Sequence, residues 1–219
     1  METKRLGERT ITFSAPPAMI GFASVAGKKE GEGPLGNSFD YVAQDTTMSE
    51  KTWEKAESRM QREALDRAIA KAKISPADLR YIFAGDLINQ CIVSAYSIRG
   101  MENPFIGLYG ACSTMAESLM LAAMSVDGEF AQYAAAVTSS HFASAERQYR
   151  FPLEYGGQRP QTAQWTVTGA GAVVLASEGR GPYVTRACAG KIVDYGITDA
   201  NNMGAAMAPA MSIYAQSYS

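Results

Sequence analysis

The stretch at residues 104–128, PFIGLYGACSTMAESLMLAAMSVDG, changes its apolar period once, and that change decides the fold. PFIGLYG is a short apolar run suited to a buried strand, ACST is a polar turn, and from about Ser113 to Val126 the pattern is helical, with Gly128 to end it. Upstream the same grammar recurs: RYIFAG (80–85) reads as a strand, DLINQ (86–90) as a polar turn, and the residues to about Arg99 as a helix. Downstream, AQYAAAVTSSH (131–141) is a third strand that runs into a long polar loop at residues 142–164. WTVTGAGAVVLAS (165–177) and PYVTRACAGKIVDYG (182–196) are β-rich and joined by EGRG, so they read as a closing hairpin.

Further out, TITFSAPPAMIGFASVAG (10–27) is extended, broken by Pro16 and Pro17, and GKKEGEGPLGNS (27–38) is a Gly-rich charged loop. Ser49 to Lys73 is a helix, with Ser49 as its cap and Trp53, Ala56, Met60, Ala64 and Ala68 as a core-facing stripe. Ser75 caps a short helical start with Pro76 at its first position. The whole is an α/β chain: a mixed, mostly parallel sheet of five strands flanked by helices. Right-handed crossovers place the turns 86–90, 111–114 and 138–141 along one edge of that sheet, where ligands of open α/β folds bind.

Composition narrows the function. Hydrophobic residues at 47% and charged residues at 19% fit a folded globular chain, and 20 basic against 22 acidic residues give no footprint for nucleic acid. No run approaches the roughly 20 apolar residues of a membrane span, and METKRLGERTITF lacks a secretory apolar stretch. Three separated cysteines, Cys91, Cys112 and Cys188, suit a reducing, cytoplasmic compartment.

Cys112 falls at or just before a helix N-terminus, where the dipole and free N–H groups favour a thiolate or an anionic ligand. Cys91 and Cys188 lie in apolar stretches and read as small buried hydrophobes. His141 is the only histidine, placed by the TSS before it on an exposed polar edge, and any imidazole base within the chain must be this one. Asp86 and Asn89 either orient a ligand or close a turn and cap a helix. In TGAGA (168–172), Gly169 and Gly171 let backbone approach a partner, or mark a bulge. No metal or nucleotide motif is present, so neither a metal site nor a cofactor is expected.

AGDLINQ (84–90), GLYGACSTMAESLMLAAMSVDG (107–128), AAVTSSHFASAERQYRFPLEYGGQRPQTAQWTVTGAGAVV (135–174) and GITDANNMGAAMAPA (196–210) closely resemble the stage V sporulation protein AD family of spore-forming Firmicutes. KKEGEGPLG with the following FD, and KTWEKAE (51–57), fit as well, and the resemblance runs from about residue 7 to residue 210. It implies a thiolase-like fold, normally two βαβαβαββ halves. Residues 1–207 match the first half, 208–219 read as a divergent tail, and the second half is largely missing. A lone half would expose a face its sister covers, which raises the prospect of a homodimer.

The resemblance also implies a function: a non-enzymatic binder of dipicolinic acid (pyridine-2,6-dicarboxylate) that aids its uptake into the developing spore with membrane proteins of the same operon. Such a protein is cytoplasmic or peripheral at the forespore or spore inner membrane, and calcium could accompany the diacid. The residues expected at the ligand are Cys112, Ser113, Asn89, Asp86, Ser139, Ser140, His141, Gly169 and Gly171, with Arg147 and Arg159 as sources of charge. In thiolase and ketoacyl-synthase relatives the cysteine matching Cys112 accepts an acyl group, so the alternative is an acyltransferase with Cys112 as nucleophile.

Overall fold

Both strand–turn–helix repeats are present. The computed structural model describes residues 4–149, 166–199, 202, 204–205 and 207–209, with residues 89 and 146–149 described by backbone alone. In chain order the elements are β1 (Arg5–Leu6), β2 (Thr10–Thr12), β3 (Ala18–Ala26), the single-turn α1 (Lys28–Gly31), β4 (Tyr41–Val42) and α2 (Trp53–Ala72). There follow β5 (Tyr81–Gly85), α3 (Ile92–Ile98), β6 (Phe105–Leu108), α4 (Thr114–Asp127), β7 (Tyr133–Ser140), α5 (Phe142–Tyr149), β8 (Gly169–Ala176) and β9 (Arg186–Cys188).

Among the described residues, the main sheet has the order β4-β3-β8-β7-β5-β6. The pairs β3–β4, β5–β7 and β5–β6 are parallel, while β8 lies antiparallel between β3 and β7. Strands β3, β4, β5, β6 and β7 therefore point one way and bring their C-terminal ends to one edge. From β3 to β8 the order is the predicted βαβαβαββ with one addition, the helix α5 between β7 and β8, and the two-residue β4 adds a sixth strand to the five expected.

Helix α2 covers one face of the sheet. Ala56, Met60, Ala64 and Ala68 are all at most 1% exposed, and the last three pack with Leu65 and Ile69 in one cluster with Val25, Ile82, Ala84, Val137 and Val174. On this face β3 must pass close: a Cβ on Gly21 would collide with the Ala68 carbonyl oxygen, so only glycine lets the helix seat. Helix α4 covers the other face through Ala122, Ala123 and Val126 against Phe83, Ala134, Ala136 and Leu175. Alternation along β7, with 134 and 136 toward α4 and 135 and 137 toward α2, is the period-2 pattern of a strand buried on both sides.

Several expectations are corrected. The cap of α2 is Thr52, whose Oγ1 accepts from the Lys55 N–H at 3.3 Å; Ser49 belongs to a turn closed by Asp45, whose Oδ1 accepts from the Thr47 and Ser49 N–H groups. Trp53, in the first turn of α2, is 38% exposed and stands outside the core stripe. The start of the supposed loop after β7 is helical, as α5, and residues 28–31 of the charged loop form α1. The closing hairpin does not form: β9 pairs with β2 in a separate three-stranded sheet. The reason is topological, since β3 and β7 already occupy both edges of β8 and leave it no free ladder. Cys91 and Cys188 are half-buried, not core, and the Cys91 thiol donates to the Leu108 carbonyl at 3.0 Å. Ser75 caps its turn as expected, in a reciprocal box with Asp78. The tail at 210–219 lies outside the described residues.

Candidate functional site

A cavity of about 450 Å³ opens at the edge where the parallel strands end. Its wall is built from the ends of β3, β5 and β7, the start of β8, and the turn between β6 and α4. Of the expected residues, Cys112, Asp86, Ser139, Ser140, Gly169 and Gly171 line it together. Their convergence follows from topology: each crossover returns its turn to the same edge.

Cys112 sits in the 3-10 turn Ala111–Ser113 that leads into α4, and its side chain is exposed on the cavity wall. The turn is tightly tied. Thr114 Oγ1 accepts from the Gly110 N–H at 3.1 Å and donates to the Ala111 carbonyl at 2.8 Å, and Ala111 takes a left-handed φ of +47°. A Cβ on Gly85 would collide with the Leu108 carbonyl oxygen and with Thr114 Cγ2, so that glycine lets the Cys112 turn come down onto β5. Ser113 is not among the lining residues and donates its hydroxyl to the Gly110 carbonyl at 2.7 Å.

Asp86 closes a turn and holds the start of α3, the second of the two readings given for it. Its Oδ1 accepts from the Ile88 N–H at 3.0 Å, and its Oδ2 accepts from the Ser94 N–H at 2.8 Å and the Ser94 hydroxyl at 2.6 Å, which caps α3. Burial pushes its pKa above the ordinary carboxylate range despite those bonds. Asn89 lies in the 3-10 turn Asn89–Cys91; its side chain, that of Arg147 in α5, and Arg159 lie outside the described residues. Ser140 donates to the Val167 carbonyl at 2.5 Å, and β8 runs as a regular ladder through Gly169 and Gly171, so no bulge explains them.

His141 is corrected from edge to core. Its ring is fully buried. Nδ1 accepts from the Ala143 N–H at 3.2 Å, which leaves Nε2–H to donate to the Thr46 carbonyl at 2.7 Å. Burial holds its pKa below the usual 6.5, so the ring is a neutral strut and not a partner of Cys112.

Sequence reading missed Glu57 and Gln61, both fully buried on α2. Gln61 Nε2, with two hydrogens to give, has three acceptors within reach, the Gly85 carbonyl (3.1 Å), Ser94 Oγ (3.0 Å) and Ser139 Oγ (3.2 Å), and its Oε1 accepts from Ser97. Glu57 accepts from Ser139 at 3.0 Å and from Ser144 at 2.7 Å. Desolvation, its main influence, raises Glu57 from 4.5 to about 7, with the nearby Asp86 charge adding to the rise. The signal was available: 57, 61, 65 and 69 form one buried i, i+4 stripe beside 56, 60, 64 and 68, and its first two members are polar. Those two turns lie nearest the cavity edge.

A mixed sheet with helices on both faces, its β8 antiparallel and a cysteine-bearing turn opening into an edge cavity, defines one half of a thiolase-like fold. Solved structures share it: a single-site variant of CsyB in complex with coenzyme A matches with 14% identity over 74% of this chain and 56% of that one, at a TM-score of 0.53. A single-site variant of OleA from Xanthomonas campestris matches at 15% identity over 75% and 57%, TM-score 0.50, and the fungal type III polyketide synthase ORAS at 13% over 74% and 55%, TM-score 0.50. The family model described as stage V sporulation protein AD matches residues 7–217. Stage V sporulation protein AD of Bacillus subtilis (strain 168) is 44% identical over 207 residues, which are 94% of this chain and 61% of that protein. The chain belongs to the stage V sporulation protein AD (SpoVAD) family. Among the described residues no helix is long and apolar enough to cross a membrane.

Proposed function

We propose that the chain binds dipicolinic acid in the edge cavity, without catalysis, and serves its uptake into the developing spore alongside membrane proteins of the same operon. It works in the cytoplasm or peripherally at the forespore or spore inner membrane, and a second copy is a further candidate partner. The observation that carries this reading is the pairing of an open, 450 Å³ cavity with a Cys112 that, among the described residues, has no histidine beside it. The single histidine of the chain is committed to Thr46, so no imidazole of this chain activates the thiol. Cavities of this size suit small-molecule ligands. Phe39 and Met115 offer apolar surface for a flat ring, and Ser24, Thr138 and Ser139 also line the cavity, hydroxyl residues of the kind that meet carboxylates.

The wall also carries the carboxylates Glu30 and Asp86 and, among the described residues, no Lys or Arg. A bare dianion is repelled there, so calcium entering with the diacid, or charge from Arg147 and Arg159, completes the binding. Calorimetry of the purified chain with dipicolinate, with and without calcium and with benzoate as control, tests this. Saturable, diacid-selective heat is expected, strengthened by calcium. Absence of such heat in a sample folded by circular dichroism refutes the reading.

The exposure of Cys112 on the wall favours one second reading, acyl transfer. In that reading the Cys112 sulfur attacks the thioester carbonyl of an acyl-coenzyme A, a new thioester forms on Cys112, the old one breaks, and free coenzyme A leaves with the thiol proton. Intact mass after incubation with the acyl donor decides: an acyl increment on the chain that is absent from Cys112→Ser supports transfer, and an unchanged mass excludes it.

A further inference from the structure

The role of Glu57 follows from counting hydrogens around Ser139. A hydroxyl has one hydrogen to give and two lone pairs to receive with. Ser139 Oγ receives from Gln61 Nε2 at 3.2 Å and stands 3.0 Å from Glu57 Oε1, while the same residue forms part of the cavity wall. When Glu57 is ionised it can only accept, so the single hydrogen of Ser139 points inward to it and none is left for the cavity. When Oε1 is protonated the direction reverses: Glu57 donates to Ser139, and the hydrogen of Ser139 is free to turn outward. With the proton on Oε1, Oε2 keeps its bond from Ser144, whose hydroxyl also stands 3.2 Å from the His141 carbonyl.

We propose that Glu57 is a positioning residue that acts through Ser139: a proton taken up by Glu57 releases the Ser139 hydroxyl hydrogen to a carboxylate in the cavity, so that ligand capture and proton uptake are coupled. This rests on the reading of the cavity as a carboxylate-binding site. The step balances, since one solvent proton enters Glu57 and one hydroxyl hydrogen changes acceptor without leaving Ser139. Glu57 is poised for the change, because burial has raised it to about 7. The groups around it do not pin either state. Asp86, at the end of β5, raises it further, the hydroxyls of Ser139 on β7 and Ser144 on α5 lower it, and His141, at the β7–α5 junction, is neutral and bonded to Thr46. None of the influences on Glu57 is a cation.

Calorimetry of dipicolinate binding to the whole chain, in calcium-free phosphate and Tris at pH 6 and pH 8, tests the coupling. A group that titrates near 7 is mostly ionised at pH 8, so close to one proton is expected to be taken up there and almost none at pH 6. The uptake is read from the difference in apparent enthalpy between the two buffers. Apparent affinity is expected to fall about tenfold between pH 7 and pH 9 for every unit above 7. Glu57→Gln places a permanent donor toward Ser139, so it is expected to bind about tenfold more tightly than wild type at pH 8, equally at pH 6, and with no proton uptake. Ser139→Ala keeps Glu57 but removes the relay hydroxyl, and is expected to lose the uptake. Equal heats in the two buffers for wild type, or uptake that persists in either variant, overturns the relay and leaves the ligand reading intact. No dipicolinate binding by the folded chain at either pH, nor in the calcium-containing titration above, overturns the ligand reading itself, and the coupling with it.

Discussion

Replacing Glu57 by glutamine tests the buried network without any ligand. An ordinary glutamate ionises near 4.5; burial, with Asp86 nearby, outweighs the hydrogen bonds from Ser144 and Ser139 and lifts Glu57 to about 7. A carboxyl whose folded pKa lies above its unfolded value binds more protons folded than unfolded between the two. The stability it contributes is therefore fully present below about pH 4.5, is lost as pH rises toward 7, and stays lost above that. The size of the loss follows from the same two values: roughly 3 kcal/mol, a large share of a typical 5–15 kcal/mol. The amide of the Glu57→Gln variant has no proton to lose, keeps the shape of the carboxyl, and can donate to Ser139 while accepting from Ser144. The difference in unfolding free energy between the variant and wild type is thus expected to move by about 3 kcal/mol in favour of the variant from pH 5 to pH 8. Urea unfolding of both proteins at pH 5, 6, 7 and 8 measures it, and taking the difference cancels every other titrating group. Parallel stability profiles would refute the reasoning, because they would mean that Glu57 ionises like a solvated carboxylate.

The other expectations concern the frame of the site. Gly85→Ala should cost about 1–3 kcal/mol in urea unfolding, because its Cβ meets the Leu108 carbonyl and Thr114, and should increase the labelling rate of Cys112 as the turn is pushed outward. Gly171→Leu should abolish dipicolinate heat while shifting stability by less than about 1 kcal/mol, since a Cβ there meets nothing within 4 Å; undiminished binding would place the ligand elsewhere. His141→Ala should lose about 2–4 kcal/mol, from the cavity it leaves and from Thr46 and Ala143 left unpaired. Because burial lowers the folded pKa of His141, wild type should also weaken as pH falls below about 6.5, and the variant should lose that part of its acid sensitivity in the same unfolding assay.

Much of the fold was legible because its long elements declare themselves locally. Tyr81–Gly85 and Phe105–Leu108 are apolar runs too short for helices, and each ends at a polar turn before helical spacing begins. The failures share a cause: they depended on what was already paired in space. The run at 182–188 has strand character, but β8 had no open edge, so it joined β2 instead. Ser49 is a good cap by type, yet Asp45 claimed its backbone for a turn and Thr52 capped α2. Trp53 has the right spacing for the core, yet it opens α2 and stays 38% exposed.

The site divides along the same line. Cys112, Asp86, Ser139 and Ser140 were found because topology sends every turn between a parallel strand and its helix to one edge, and polar residues clustered there. His141 failed because a rare residue type at that edge was taken as a reagent, whereas its two ring nitrogens are spent on Thr46 and Ala143 in the core. Glu57 and Gln61 failed for the opposite reason: polar residues on a helix were counted as surface. A helix that follows a parallel strand starts at the edge where that strand ends, so the first two turns of its buried stripe lie beneath the site. The stripe of α2 turns from Leu65 and Ile69 to Gln61 and Glu57 as it reaches that edge. Burying a glutamate there without a cation is unfavourable for stability, and the same placement puts its carboxyl one hydroxyl away from the cavity, where its proton can decide what Ser139 offers to a ligand.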